Sequence, residues 1–265
     1  MKLLFIGGGQ MGSALMRGMV KSGMVSGKDI SLFEVMKPQA EALAKEIGLT
    51  PVDSAKDGAA SADLVFLCVK PAQVAPILTD IRSALNGEKT LISIAAGVTL
   101  AKMAAAAGEV PAVRVMPNTP ALVSQAMSVL SFNERVDAGK RELIQKLFSA
   151  VGKVAVVAEK DMNAVTGLSG SGPAYVFVMI EALADAGVRQ GLTRETALLL
   201  ATQTVRGSAE LVLATGQHPA VLKDQVTSPG GTTIAGLEKL EALGFRNSLI
   251  QAVAAAAKRS EELGG

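Results

Sequence analysis

Leu3-Leu4-Phe5-Ile6-Gly7-Gly8-Gly9-Gln10-Met11-Gly12 reads as a short apolar strand running straight into a G-x-G-x-x-G turn. Each glycine of the pattern has its own task. Gly7 permits the tight reversal from strand to helix, Gly9 removes the side chain that would hold a pyrophosphate off the backbone, and Gly12 lets the following helix lie close to the sheet. Met11 to Met24 supplies that helix, with Leu15, Met19 and Val20 on one face. Its N-terminus then points unpaired N–H groups at an anion. Ile6, Gly7, Gly9, Gln10, Met11 and Gly12 are therefore the first candidate dinucleotide-binding residues. A glycine-rich turn also occurs without a ligand, so the strand before it and the amphipathic helix after it are what give the motif its meaning.

Outward from this turn, short apolar runs alternate with helical patterns. The strands are expected at Lys2 to Ile6, Ile30 to Phe33, Leu64 to Val69, Thr90 to Ile94 and Val113 to Met116. Helices are expected between them at Pro38 to Ile47, Val74 to Leu85 and Leu100 to Ala107. Such alternation predicts an α/β domain with a Rossmann-type, doubly wound parallel sheet. Ser128 to Phe132 and Val154 to Val157, flanking a helix from Asp137 to Ser149, are expected to extend the sheet's edge, which places the end of this domain near residue 158.

From Glu159 onward strand signals vanish and long helical stretches take over, at Pro173 to Gln190, Thr193 to Thr215, Thr233 to Leu243 and Phe245 to Leu263. Residues 159–265 are thus expected to form an all-helical second domain. Ala197-Leu198-Leu199-Leu200-Ala201 is apolar around the whole helix and needs cover on every side. A domain of about a hundred residues does not easily supply that cover alone, so the pattern predicts subunits packed through these helices, as a dimer at least. One central helix within a monomer is the alternative.

Composition narrows the function classes. A hydrophobic fraction of 49% over 265 residues is ample for a buried core. The 26 basic and 24 acidic residues are scattered and give a net charge of +2, and aromatics make up 3%. Neither a polyanion footprint nor a base-stacking platform is present, which argues against nucleic acid as a partner. The opening apolar stretch is too short for a secretory signal and nothing is long enough to span a bilayer, so a cytoplasmic protein without membrane association is expected. Cys68 lies in a strand-like run and His218 precedes a proline as a loop or cap residue, and this single pair makes no metal cage.

Open parallel sheets bind ligands at the carboxyl ends of their strands. Val69-Lys70-Pro71, Ala95-Ala96-Gly97 and Pro117-Asn118-Thr119-Pro120 follow three of the expected strands, and Val69, Lys70, Pro71, Ala95, Ala96, Gly97 and Asn118 join the candidate cofactor residues, although each block also reads as an ordinary strand-end turn. Glu34, ending the second strand, stands where an acid accepts from the adenosine ribose hydroxyls, which favours NADH, while Lys37 nearby could instead meet the phosphate of NADPH. Two small-residue blocks in the helical half also stand out. Thr166 to Tyr175 and Thr227 to Thr233 each lead into a helix, and each suits either a carboxylate cradle or a helix cap.

Taken together, these blocks make the chain resemble pyrroline-5-carboxylate reductases. The likeness spans nearly the whole length: the glycine turn, Val69-Lys70-Pro71, Ala95-Ala96-Gly97, Asn118-Thr119-Pro120, Gly167 to Tyr175, Leu222-Lys223-Asp224 and Ser228 to Thr233. The resemblance implies reduction of the cyclic imine 1-pyrroline-5-carboxylate to L-proline by NADPH or NADH, in a two-domain subunit whose helical half dimerises. It implies a substrate pocket shared between subunits, with Val226, Ser228, Gly230, Gly231, Thr232 and Thr233 at the substrate and Thr233 at the ring nitrogen. Many members carry Asn-Arg or Ser-rich residues after the second strand to accept NADPH, whereas this chain has Glu34-Val35.

Two rivals share part of the pattern. A 3-hydroxyacid dehydrogenase has the same glycine turn and a helical second domain, but aligning Gly167, Gly170 and Gly172 on its motif puts Val176 at the catalytic lysine position, so alcohol oxidation lacks its proton acceptor. A non-catalytic dinucleotide-sensing protein needs only the first domain's site, which leaves the Ser228 to Thr233 block without a purpose.

Overall fold

The structure is a computed structural model and describes residues 1–264. The chain first forms β1 (Leu3–Ile6), α1 (Gln10–Lys21), β2 (Ile30–Phe33), α2 (Lys37–Ile47), β3 (Thr50–Pro51), α3 (Ala55–Ser61), β4 (Leu64–Leu67) and α4 (Pro71–Ile81). It continues with β5 (Thr90–Ser93), α5 (Leu100–Ala107), β6 (Ala112–Met116), β7 (Ala126–Phe132), α6 (Ala138–Ser149) and β8 (Gly152–Val156). The helices α7 (Met162–Val165), α8 (Gly172–Arg189), α9 (Arg194–Thr215), α10 (Pro219–Gln225), α11 (Thr232–Ala242) and α12 (Phe245–Gly264) follow.

All strands join one sheet in the order β3-β2-β1-β4-β5-β6-β7-β8. The order reverses beside β1, which places the glycine turn at the switch point of a doubly wound sheet. Every residue of β1 and β4 is buried, as expected for parallel strands with helices on both faces. One face packs Phe5, Phe66, Leu15, Met19 and Phe148 together, and the other packs Leu4, Ile6, Val65, Leu78 and Met103. Phe5 and Phe66 are register partners across β1 and β4, and their rings stack with centroids 4.3 Å apart.

Three features differ from the sequence expectation. The sheet is not parallel throughout, because β7 runs antiparallel to β6. Residues 117–125 hold only a 3₁₀ turn, Thr119–Val123, too little chain for the crossover that a parallel neighbour demands. Helix α4 starts at Pro71, ahead of the first periodic apolar residue, since proline suits the first helical position. The short elements β3, α3 and α10 were not anticipated, and α10 is capped by His218, whose Nδ1 accepts from the Ala220 N–H at 3.2 Å.

The chain divides into two compact units. Met1–Ser171, with the carboxyl-terminal stretch from Ala255 onward, forms the first, and Gly172–Ala254 forms the second. The division therefore falls beyond residue 158. Strand signals end where expected, but α7 still packs on the sheet through Met162, buried against Met116 and Val129. Ser260 of the returning chain donates to Asn163 Oδ1 at 2.9 Å. Within the second unit α8 and α9 pack through Ala184, Ala197 and Ala201, while Leu198, Leu199 and Leu200 are exposed.

Among the described residues no helix is long and apolar enough to cross a membrane.

Candidate functional site

The first strand delivers its carboxyl end into a turn whose geometry each glycine makes necessary. Gly7 has φ +102°, and a Cβ there would lie 2.5 Å from the Cys68 carbonyl oxygen. A Cβ on Gly12 would lie 2.5 Å from the Gly7 carbonyl oxygen, so α1 approaches the turn only because that atom is missing. Gly9 differs from both, since a Cβ there would meet no heavy atom within 4 Å. Open space faces Gly9, at the start of a helix that no side chain caps. A pyrophosphate fits such a place, close to the backbone and in front of the first-turn N–H groups of Gln10, Met11 and Gly12.

Beside the turn lies a cleft of about 300 Å³ whose lining includes Ile6, Gly7, Gly9, Glu34, Val69 and Lys70. Six of the sequence-derived cofactor residues thus meet in one cavity. Pro71 starts α4 beside it, held by the Lys70 N–H donating to Gln73 Oε1 at 3.3 Å. Burial pushes the Cys68 thiol up, so it stays protonated and serves as wall and not as nucleophile.

Glu34 is fixed by the backbone. The Gly8 N–H donates to its Oε2 at 2.7 Å and the Met36 N–H to its Oε1 at 3.0 Å. The amide of Gln39 in turn donates to the Gly8 carbonyl oxygen. Lys37 points its charge elsewhere, pairing with Asp53 at 3.2 Å on the surface.

The remaining cofactor candidates do not line this cleft. Ala95, Ala96 and Gly97 form the loop after β5, where Gly97 has φ +74° and is backed by Leu263 at 3.2 Å from its would-be Cβ. Asn118 is a structural tie: its Oδ1 accepts from the Met127 N–H at 2.9 Å and its Nδ2 donates to the Ser169 carbonyl at 3.1 Å. A buried arginine is paired with a partly exposed glutamate. Arg114, 3% exposed on β6, lies 3.5 Å from Glu159, whose Oε1 also accepts from the Leu100 N–H at 2.6 Å and so caps α5.

The two small-residue blocks separate in character, the first closing the amino-terminal part of the first unit and the second lying within the second unit. Thr166–Gly170 is a π-helical turn continuous with α7, and the Ser171 N–H already donates to the Thr166 carbonyl at 2.8 Å. It offers no open cradle. The Ser228 to Thr233 block is more open: Gly230 has φ +67° and α11 starts at Thr232 with no side-chain cap, while the Gly231 N–H already donates to the Ser228 carbonyl at 3.1 Å. Gly230 and Gly231 line a cavity of about 590 Å³ together with Lys223, Ile234 and Arg246. Thr233 sits half-buried in the first turn of α11, whereas Val226, Ser228 and Thr232 are exposed.

Sequence reasoning missed Gln39 and Gln73, both in the cleft lining. Gln73 carried a signal, because a glutamine three residues after an N-cap position can accept from the N-cap N–H, as it does from Lys70. Gln39 carried none.

With this geometry in place, the chain compares closely with known proteins. Residues 159–263 match the family model described as pyrroline-5-carboxylate reductase dimerisation, and residues 2–97 match that of NADP oxidoreductase, coenzyme F420-dependent. A pyrroline-5-carboxylate reductase of Arabidopsis thaliana is 46% identical over 262 residues, covering 99% of this chain and 95% of that protein. The solved pyrroline-5-carboxylate reductase of Coxiella burnetii superposes with a TM-score of 0.94 at 36% identity, covering 100% of this chain and 98% of its own. The pyrroline carboxylate reductase of Plasmodium falciparum, solved with NADP bound, gives 0.90 at 36% identity and the same coverage.

Proposed function

The chain belongs to the pyrroline-5-carboxylate reductase family, and from that premise we propose that it reduces 1-pyrroline-5-carboxylate to L-proline, the last step of proline biosynthesis. One observation carries the reading: the chain keeps nearly the whole length of its relatives, so the glycine turn and the Ser228 to Thr233 helix start occur together in one polypeptide. NADH or NADPH, when bound, supplies the hydride. The protein's own task is to hold and orient, because a protonated cyclic imine is already electrophilic and alignment alone can supply much of the acceleration.

In this proposal Ile6, Gly7, Gly9, Gln10, Met11, Gly12, Val69, Lys70 and Pro71 hold the dinucleotide, with Ala95, Ala96, Gly97 and Asn118 shaping the same edge of the sheet. Glu34 accepts from the ribose hydroxyls and tilts the choice toward NADH. The backbone N–H groups around Gly230 to Thr232 hold the substrate carboxylate at the positive end of α11, those of Gly230 and Thr232 directly and that of Gly231 shared with the Ser228 carbonyl. Val226 and Ser228 flank it. The Thr233 hydroxyl bonds the ring nitrogen, where it supports the charge that moves during reduction.

A homodimer goes with this reading, built through the leucines that α9 leaves exposed, and so does a cytoplasmic location, where a single free cysteine suits a reducing compartment. The direct test follows absorbance loss of NADH and of NADPH separately, with 1-pyrroline-5-carboxylate and with a panel of hydroxyacids. Imine-dependent oxidation of the cofactor is expected. Turnover only with hydroxyacids moves the chain to the dehydrogenase class, and cofactor binding without turnover makes it a sensor.

A further inference from the structure

Glu34 is more than a ribose acceptor in this fold. Its Oε2 takes the Gly8 N–H at 2.7 Å, and Gln39 reaches the carbonyl of that same residue from the first turn of α2. Both polar groups of Gly8, the residue between Gly7 and Gly9, are therefore held by side chains. The fit is close, since a Cβ on Gly8 would come within 3.4 Å of Glu34 Oε2 and 3.3 Å of Leu43. Met36 donates to the other carboxylate oxygen at 3.0 Å, so the carboxylate cannot swing away without releasing two N–H groups.

Resting on the dinucleotide reading above, we propose that Glu34 and Gln39 form a clamp that presets the pyrophosphate turn, and that Glu34 acts through two separable properties. Its acceptor oxygen positions the turn and sets affinity for both dinucleotides. Its charge opposes a 2′-phosphate and sets the choice between them. A neutral residue that keeps the acceptor separates the two. Gln, turned to place its carbonyl oxygen on the Gly8 N–H, repels no phosphate and gives up only the exposed Met36 N–H, which its NH2 group cannot accept from, whereas Ala removes both acceptors and the charge together. Glu34 is on this account a positioning residue for the turn as well as a selector.

The test titrates NADH and NADPH by fluorescence against the wild type, Glu34→Ala, Glu34→Gln and Gln39→Leu, and follows hydrogen exchange of the Gly8 amide in the cofactor-free protein. Glu34→Ala should weaken NADH about tenfold and gain no net NADPH affinity, matching a lost charge-assisted hydrogen bond. Glu34→Gln should hold NADH within about threefold and tighten NADPH by about tenfold. Gln39→Leu should weaken both equally and leave their ratio unchanged. Gly8 exchange should be slow in the wild type and Glu34→Gln and fast in Glu34→Ala. If Glu34→Ala gains NADPH as fully as Glu34→Gln, or if Gly8 exchanges equally in all three, the clamp is wrong. An unchanged NADH to NADPH ratio in Glu34→Gln removes the charge from the selection. Should the wild type bind neither dinucleotide, the site assignment fails, and the exchange data still decide whether the clamp exists.

Discussion

At the scale of single residues the site rests on atoms that are absent as much as on atoms that are present. Gly9→Ala and Gly12→Ala add the same methyl group and should fail differently. At Gly9 the methyl enters open space, so the melting temperature should hold while dinucleotide affinity falls. At Gly12 it meets the Gly7 carbonyl, so stability should also drop, by about 1–3 kcal/mol as overpacking does; equal melting curves for the two variants would contradict the geometry. Thr233→Val should lower kcat/KM about tenfold or more, as expected for a buried polar partner left unpaired, and unaltered turnover removes Thr233 from the mechanism. The Arg114–Glu159 pair makes a third case. Glu159→Ala leaves the guanidinium buried without its counter-charge and should cost about 3 kcal/mol in urea denaturation, while combining Arg114→Leu with Glu159→Gln should recover most of it. Arg114 was not legible as a buried ion, because nothing in an apolar strand run marks which partner a lone basic residue will find.

Whole elements were easier to read than their directions. The strands β1 and β4 showed as unbroken apolar runs because helices cover them on both faces, α1 showed through its period, and α9 through its length and apolar content. The antiparallel course of β7 left no mark on its own residues, since a strand's apolar pattern is the same in either direction. The signal lay in the connection, whose length forbids a crossover. β3 is too short for any pattern, and α3 lacks the large apolar residues that reveal a period. The Gly7 to Gly12 turn and the Ser228 to Thr233 helix start were legible because backbone geometry demands particular residue types there. Gln39 was not, since a polar side chain in a first helical turn usually faces water, and only the folded turn shows it facing Gly8.

For the molecule as a whole, the leucines exposed on α9 are an apolar face that one chain leaves uncovered. Leu199 is 67% exposed, and Leu198 and Leu200 about half, an arrangement that matches the expectation of a second copy covering this helix. Leu199→Glu should yield a monomer in sedimentation velocity and abolish turnover together with assembly; an active monomer would uncouple the two. The path of the polypeptide has its own implication. It leaves the nucleotide-binding body at Ser171 and re-enters it at Ala255, so the helical body is an excursion fastened at both ends to one neighbour. Trimming the carboxyl terminus therefore injures the amino-terminal half first, because Leu263 is the prop beneath Gly97. A purification handle belongs at the other end of the chain.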